Sequence, residues 1–305
     1  MPHISGKCLL IMTSLRKKPF FILQRSFFMY YSTTSSNDHI ITRNNACRYL
    51  SKNTCIPNHI YGIATEAFQK KSIIRTVQFP KSLHRIGARA FLGCNSLQKV
   101  TLPDQITQIG PGAFSKCDSL LQANIPGSLD DLPQGLFLES RKLHTVYFHP
   151  DSQIRTIRKN TFWECKSLSS LVLPDSVTNI DDRAFYRCRS LQSVSFPKNL
   201  KRIGEQAFYF CDFASLEFPD SLETLEDSAF FKCNNLEYVR LPQNVRHIGK
   251  WVFHGCNKLK CLEIRNDPEF IGEWIINRSS TIRCYRNSKA DQYCRESGFK
   301  VEYLD

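Results

Sequence analysis

The first chemistry that this sequence suggests is that of cysteine, because the chain has 13 of these residues. Thiols at suitable spacings bind metals, form disulfides or take part in redox reactions. However, the chain has no CxxC motif, and no cysteine and histidine pairs have the spacing of a zinc site. Seven cysteines instead occur at one recurring position, three residues after a phenylalanine: Cys94, Cys117, Cys165, Cys188, Cys211, Cys233 and Cys256.

This recurrence predicts a column of stacked cysteines with a structural role. If neighbouring repeats lie at strand spacing, about 4.8 Å apart, the Cβ vectors of the column run parallel to one another. A disulfide requires Cβ atoms about 3.8 Å apart, so pairing within the column would strain the stack. We therefore expect reduced thiols that behave as small buried hydrophobic side chains. The pairing of the six other cysteines does not follow from the sequence: Cys8, Cys47, Cys55, Cys261, Cys284 and Cys294.

No catalytic site, metal site or cofactor is predicted. The eight histidines form no HExxH motif, and the chain has neither a GxSxG motif nor a phosphate-binding glycine loop. Asp130 and Asp131 are adjacent carboxylates, as are Asp181 and Asp182, but both pairs occupy positions where turns are expected. The sequence thus predicts a protein that is not an enzyme and has no small-molecule substrate.

The elements that must position these residues are repeats. A fixed period of this length indicates stacked units, each too small to bury its own apolar face. We expect a single solenoid of about nine coils of 22–25 residues, spanning residues 56–264. The period is marked by prolines at intervals of 22 to 24 residues: Pro57, Pro80, Pro103, Pro126, Pro150, Pro174, Pro197, Pro219 and Pro242.

Each unit also contains the pattern of a short strand. Val100 and Leu102 alternate with the polar Lys99 and Thr101, which is the two-residue period of a β-strand. Pro103 then ends the strand, because proline has no amide hydrogen to donate to a neighbour. A second short extended stretch is expected around the isoleucine in the middle of each unit. The predicted fold class is therefore a solenoid of short β-strands that stack into parallel sheets and are joined by turns.

The repeat resembles that of a known family. The sixth unit, residues 173–194, reads LPDSVTNIDDRAFYRCRSLQSV. It is similar to the phrase LPxSVxxIGxxAFxxCxSLxxV of the BspA-like leucine-rich repeat family, also described as the Treponema pallidum type. The resemblance covers about residues 56–264. It implies a leucine-rich repeat fold and, in bacteria and protists, surface adhesion or binding of host components.

Members of this family also tend to end in a short strand, a helix and a strand. Residues 281–305 fit such a cap, with Ser288 as the helix N-cap and Gly298 as its C-terminal stop. We assign residues 265–305 to this β-α-β-like C-terminal cap.

The first 55 residues do not follow the repeat and are basic. They carry eight Lys or Arg and one acidic residue, whereas the repeat body has a net charge of only +6. The segment is interpreted as a disordered tail, as the product of a misassigned start, or as a targeting segment. The chain has no run of about 18 apolar residues, so no transmembrane helix is predicted. The weak charge of the repeat body does not favour nucleic-acid binding.

The solvent-facing strand positions that vary from coil to coil are the expected binding residues. Among them, Tyr and Arg are the types that most often dominate interface energies. The hypothesis is a monomeric recognition protein that binds a protein or a glycan along its strand face, at the cell surface or secreted, as the resemblance implies. The alternatives are an intracellular scaffold in the cytoplasm and nucleic-acid binding through basic segments. The candidate contact residues are Lys99, Thr101, Tyr147, Tyr238 and Arg240.

Overall fold

The computed structural model describes residues 39–304, in which the chain winds through two rows of parallel β-strands. One row, the short row, consists of two-residue strands: Ile40–Ile41, Gly62–Ile63, Arg85–Ile86, Gln108–Ile109, Asp131–Leu132, Thr156–Ile157, Asn179–Ile180, Arg202–Ile203, Thr224–Leu225, His247–Ile248 and Phe270–Ile271. The other, the long row, has strands of three or four residues: Asn53–Cys55, Thr76–Gln78, Lys99–Thr101, Gln122–Ile125, Thr145–Phe148, Ser170–Val172, Ser193–Ser195, Tyr238–Leu241, Cys261–Ile264, Thr281–Cys284 and Lys300–Tyr303.

Most strands pair with the equivalent strand of the next coil, offset by one repeat. In the short row, for example, Ile63 pairs with Ile86 and Ile86 pairs with Ile109. The predicted solenoid of parallel strands and turns is thereby confirmed. The rows are not continuous, however. The long row divides into sheets of five, two and four strands, and the short row into sheets of four and seven.

The core is a column of phenylalanine rings along the solenoid. Consecutive rings are stacked with centroids 4.9 to 6.1 Å apart and with interplanar angles of 3° to 22°. No coil could bury its ring alone, so each one depends on its neighbours for its core. The nine rings are all fully buried: Phe68, Phe91, Phe114, Phe137, Phe162, Phe185, Phe208, Phe230 and Phe253.

The glycine that follows the short-row isoleucine allows adjacent coils to approach closely. A Cβ atom on Gly87 would lie 2.4 Å from the backbone nitrogen of Thr65, and one on Gly110 would lie 2.2 Å from that of Ala88. Real Cβ atoms do not come this close to backbone. The glycines at these two positions therefore set the spacing between coils.

The stack extends beyond the predicted boundaries at both ends. Strands Ile40–Ile41 and Asn53–Cys55 pair with the following coil, although both precede residue 56. Their coil lacks the Ala-Phe signature, because a 3-10 helix at Ala46–Tyr49 makes the turn instead. A further coil follows residue 264, and there Ile275 and Ile276 provide the buried apolar pair. Residues on both sides of the predicted 56–264 solenoid thus pack against it as further coils, and residues 1–38 of the predicted basic segment lie outside the described residues.

The C-terminal cap has the strand–helix–strand order that the sequence indicated. Helix Lys289–Ser297 connects two adjacent parallel strands, Thr281–Cys284 and Lys300–Tyr303. The Ser288 side chain accepts a hydrogen bond from the Asp291 amide, and Gly298 ends the helix at φ 71°. Of the helices within residues 39–304, none has both the length and the apolar character needed to cross a membrane.

Candidate recognition surface

The recurring cysteines lie in the interior and are not available for chemistry. All seven are free thiols, buried to at least 97%. Burial raises the pKa of the thiols of Cys94, Cys117, Cys165, Cys188, Cys211 and Cys233, and that of Cys94 rises to about 12. In the described part of the chain, no group of three or more His, Cys, Asp or Glu residues could hold a metal ion. The geometry of the column therefore indicates a packing role.

Each thiol of the column also forms the same hydrogen bond. Its Sγ donates to the carbonyl oxygen of the core phenylalanine one coil earlier, at 3.1 to 3.3 Å. Ser140 occupies the same position in the fourth unit, and its Oγ donates to the Phe114 carbonyl at 2.9 Å. Serine thus reproduces the hydrogen bond of the cysteines at this buried position, because both side chains are small and can donate.

The candidate contact residues fall into two groups on the long row. Lys99, Thr101 and Tyr147 are exposed, and 56% of the Tyr147 side chain is accessible to solvent. Tyr238 and Arg240 are exposed as well, but both interact with one buried carboxylate, that of Glu263. The five residues therefore do not form one continuous site.

Glu263 is the centre of a charged cluster that the sequence did not predict. Its side chain is only 2% exposed, and it contacts Arg240 and Arg283 at 3.4 Å each and also Arg265. The Tyr238 hydroxyl donates to its Oε2. Burial by itself would raise the pKa of Glu263, but the hydrogen bonds from Tyr238 and Arg265 and the charge of Arg240 hold it below its ordinary value.

The charges that form this cluster recur at equivalent strand positions in the sequence, so the cluster could have been found there. Strand pairing places Glu263 between Arg240 of the preceding coil and Arg283 of the following one. An acidic residue between basic residues at equivalent strand positions is a cross-strand charge ladder. Tyr238 and Arg240 are thus members of the charged cluster in the C-terminal coils.

A groove opens where the long row is interrupted. Strands Thr145–Phe148 and Ser170–Val172 belong to different sheets, and a groove of about 690 Å³ runs between them. Tyr147 lines this groove and also a second one of about 470 Å³ on its other side. Val172, which the sequence pattern does not single out, is 72% exposed and faces the first groove. Two large exposed side chains, those of Tyr147 and Val172, thus line the groove at the interruption.

The interruption also leaves backbone groups without a strand partner. The amides of Thr145 and His149 donate to the strand of the preceding coil. Because hydrogen bonding alternates along a parallel strand, the amide and carbonyl groups of Val146 and Phe148 point toward the groove. The groove therefore combines apolar side chains with main-chain donors and acceptors, which is the usual composition of a recognition site.

A row of aromatic side chains, which the repeat pattern did not predict, runs along the turn after the core phenylalanine. The rings are half-buried and stack with centroids 4.2 to 5.8 Å apart, so their faces are occupied by one another. A nucleic-acid base or a sugar ring needs a free aromatic face on which to stack. The row is therefore a packing feature, and its members are Trp163, Tyr186, Tyr209, Phe231 and His254.

Two arginines on or beside the short row are paired with acidic neighbours. Arg158 lies 2.7 Å from Asp131, and Arg202 lies between Asp182 at 3.5 Å and Glu226 at 3.0 Å. Paired guanidinium groups are less available for contacts with phosphates. The short row is thus a mixed-charge surface, which agrees with the weak net charge of the repeat body.

The fold and the repeat are shared with known proteins. The family model for the BspA type leucine rich repeat region, in six copies, matches residues 42–168 and 155–283. A leucine-rich repeat protein from Bacteroides ovatus is similar in structure, with a TM-score of 0.66 and 22% identity over 86% of this chain and 85% of that one. A leucine rich cell surface protein from Faecalibacterium prausnitzii has a TM-score of 0.51 and 22% identity, over 90% of this chain and 86% of that one. No curated protein matches the sequence.

Proposed function

Because this chain belongs to the BspA-type leucine-rich repeat family, we propose that it is a non-catalytic, monomeric recognition protein. It binds a protein or a glycan on the long row of strands, at the groove beside Tyr147 and Val172. Leucine-rich repeat proteins generally act through interactions with other macromolecules, and the groove is where this chain departs from a regular stack.

The exposure of Tyr147 and Val172 is the observation that carries this proposal. Large side chains that are 56% and 72% exposed on a rigid strand surface are positioned to be buried by a partner. Tyrosine in particular provides a large contact area, and its hydroxyl group can still form hydrogen bonds. Lys99 and Thr101 lie two coils earlier on the same row and extend the proposed contact face.

We expect replacement of both residues at the groove to abolish partner capture. In the double variant Tyr147→Ala, Val172→Ser, recovery of the partner should fall by about tenfold or more, as for the loss of an interface hot spot. The measurement is quantitative capture of membrane proteins and glycans of the source organism or its host on the immobilised full chain. The variant Ile73→Ala is the matched control, because Ile73 is also 56% exposed but lies in the turn before strand Thr76–Gln78. Equal recovery by the wild type and the double variant would refute this choice of site.

We further propose that the protein is located at the cell surface, where it contributes to adhesion. The support is the similarity to the structure from Faecalibacterium prausnitzii, which is described as a leucine rich cell surface protein. Biotinylation of intact cells with a reagent that does not cross membranes should label the chain. Recovery of the chain exclusively from the cytosol would instead support an intracellular scaffold of the same fold.

A further inference from the structure

The charged cluster around Glu263 separates its two signs of charge by depth. The side chains of Arg240, Arg265 and Arg283 are 58%, 36% and 39% exposed, whereas that of Glu263, which they share, is only 2% exposed. In the ion pairs of the short row described above, the acidic partners are themselves 31% to 34% exposed. A partner that approaches the C-terminal coils therefore meets guanidinium groups, with the compensating carboxylate beneath them.

Two of the three arginines approach Glu263 in the same way. The Nε groups of Arg240 and Arg265 both contact its Oε1 atom. Their terminal Nη groups take part in no hydrogen bond or ion pair with residues 39–304. The Nη edge of a guanidinium group can donate two parallel hydrogen bonds to one carboxylate or sulfate group. One buried carboxylate thus holds two guanidinium groups next to each other, with their strongest donors still available.

The third arginine is less available for an external anion. The Nη1 group of Arg283 donates to Glu263 Oε2, and its Nε lies 3.5 Å from Glu302 Oε2. Glu302 is 63% exposed, so it opposes the approach of an anion at that end of the cluster. Within the described part of the chain, Arg240 and Arg265 form ion pairs with no acid other than Glu263. The site for an anion is therefore at their end.

We propose that Arg240 and Arg265 bind the anionic groups of an acidic polysaccharide. This site is separate from the groove beside Tyr147, because strand Tyr238–Leu241 lies four coils further along the long row. The positive outer layer of the cluster is complementary to sulfate or carboxylate groups. Glu263 acts as a positioning residue, since it fixes the two guanidinium groups and does not itself reach the surface.

The surroundings of the two arginines favour a polysaccharide over an acidic protein. Tyr238 and Tyr285 are 43% and 41% exposed, and Tyr285 follows its strand at the position equivalent to that of Arg265 in the preceding coil. Their exposed rings offer faces on which sugar rings can stack. The strands of these coils expose no large aliphatic side chain in residues 238–285 of the long row. A protein interface normally has an apolar core, which this surface lacks.

The test measures binding of the full chain to dextran sulfate, carboxymethyl dextran and unmodified dextran, by biolayer interferometry at about 150 mM salt. The three polymers share one backbone, so they distinguish sulfate recognition, carboxylate recognition and binding of the sugar alone. We expect binding to one or both charged polymers and none to dextran. In the double variant Arg240→Ala, Arg265→Ala, the dissociation constant should rise about tenfold or more, because two sets of charge-assisted hydrogen bonds are lost.

A second pair of arginines provides the matched control. The variant Arg75→Ala, Arg155→Ala removes the same charge at two exposed residues outside the cluster, and its dissociation constant should change less than about twofold. The single variant Arg240→Ala truncates the most exposed of the three arginines, so it should fold even if the double variant does not. We expect it to weaken binding about threefold or more.

The remaining arms separate this site from the groove and from other partners. The variant Tyr147→Ala, Val172→Ser should bind the charged polymer like the wild type, so failure of one site leaves the other standing. Equal weakening by the two arginine pairs would show attraction to net charge only and would overturn the proposal. Competition by poly-L-glutamate as effective as that by the charged dextran would also overturn it, in favour of an acidic peptide.

Discussion

Replacement of Phe208 by alanine should lower the free energy of unfolding by about 3–5 kcal/mol. The Phe208 ring is fully buried and stacks between those of Phe185 at 4.9 Å and Phe230 at 5.1 Å. Phe196 and Phe213 contact it edge-on, at 5.7 and 5.5 Å. Truncation at this position therefore leaves a cavity bounded by four aromatic rings, and the strand backbone limits how far the cavity can close.

The loss should also reduce the cooperativity of unfolding. In a solenoid each coil is stabilised mainly by its nearest neighbours, so a cavity in the middle weakens the coupling between the two halves. Urea titration followed by circular dichroism should show a lower midpoint and a broader transition. Phe270→Ala is the control, because Phe270 is 44% exposed and should cost about 0.5 kcal/mol. An unchanged midpoint for Phe208→Ala would contradict the role assigned to the ring column.

Replacement of Glu263 by glutamine should destabilise the C-terminal coils by about 2 kcal/mol near neutral pH. The substitution removes the negative charge that Arg240, Arg265 and Arg283 share, and leaves these three cations close together. The arginines are partly exposed, so solvent screening keeps the expected loss below that of a fully buried ion pair.

The effect of this substitution should depend on pH in a defined direction. The folded-state pKa of Glu263 lies below its ordinary value of 4.5, so the charged form stabilises the folded protein. That contribution is complete above pH 4.5 and is lost as the pH falls through the folded-state pKa. Thermal melts of the wild type and of Glu263→Gln should therefore converge in acid.

Glu302→Gln provides the matched control for this prediction. Glu302 also faces Arg283, at 3.5 Å, but its side chain is 63% exposed. Its replacement should change the melting temperature little at any pH. A difference between the wild type and Glu263→Gln that persists unchanged at low pH would show that the charge of Glu263 is not the cause.

Much of the fold could be predicted because each coil repeats the same local rules. Alternation at Val100 and Leu102 predicted a strand, and the cap residues Ser288 and Gly298 predicted the limits of the last helix. The terminal coils could not be predicted in this way. The first coil makes its turn with a 3-10 helix at Ala46–Tyr49, and the coil after residue 264 buries Ile275 and Ile276 in place of the Ala-Phe pair. Both coils pack like the repeat, but neither has the residues that mark it in the sequence.

The candidate site could be predicted only in part. Tyr147 was identifiable as a variable strand residue, but the groove beside it exists because strands Thr145–Phe148 and Ser170–Val172 belong to different sheets. Tyr238 and Arg240 have the same residue types and positions as good interface residues. In the structure both also contact Glu263, which is 23 or more residues later in the chain and lies directly beside them in space.

The sequence by itself determined the solenoid, its family and the inward direction of the column cysteines, because a period of 22 to 24 residues constrains every coil in the same way. The tertiary structure alone decided which side chains meet across coils. It placed Glu263 among three arginines and opened the groove at Tyr147. The physical reason is that such contacts depend on the offset between neighbouring coils and on the packing of the cap, and neither is encoded in the spacing of residues along the chain.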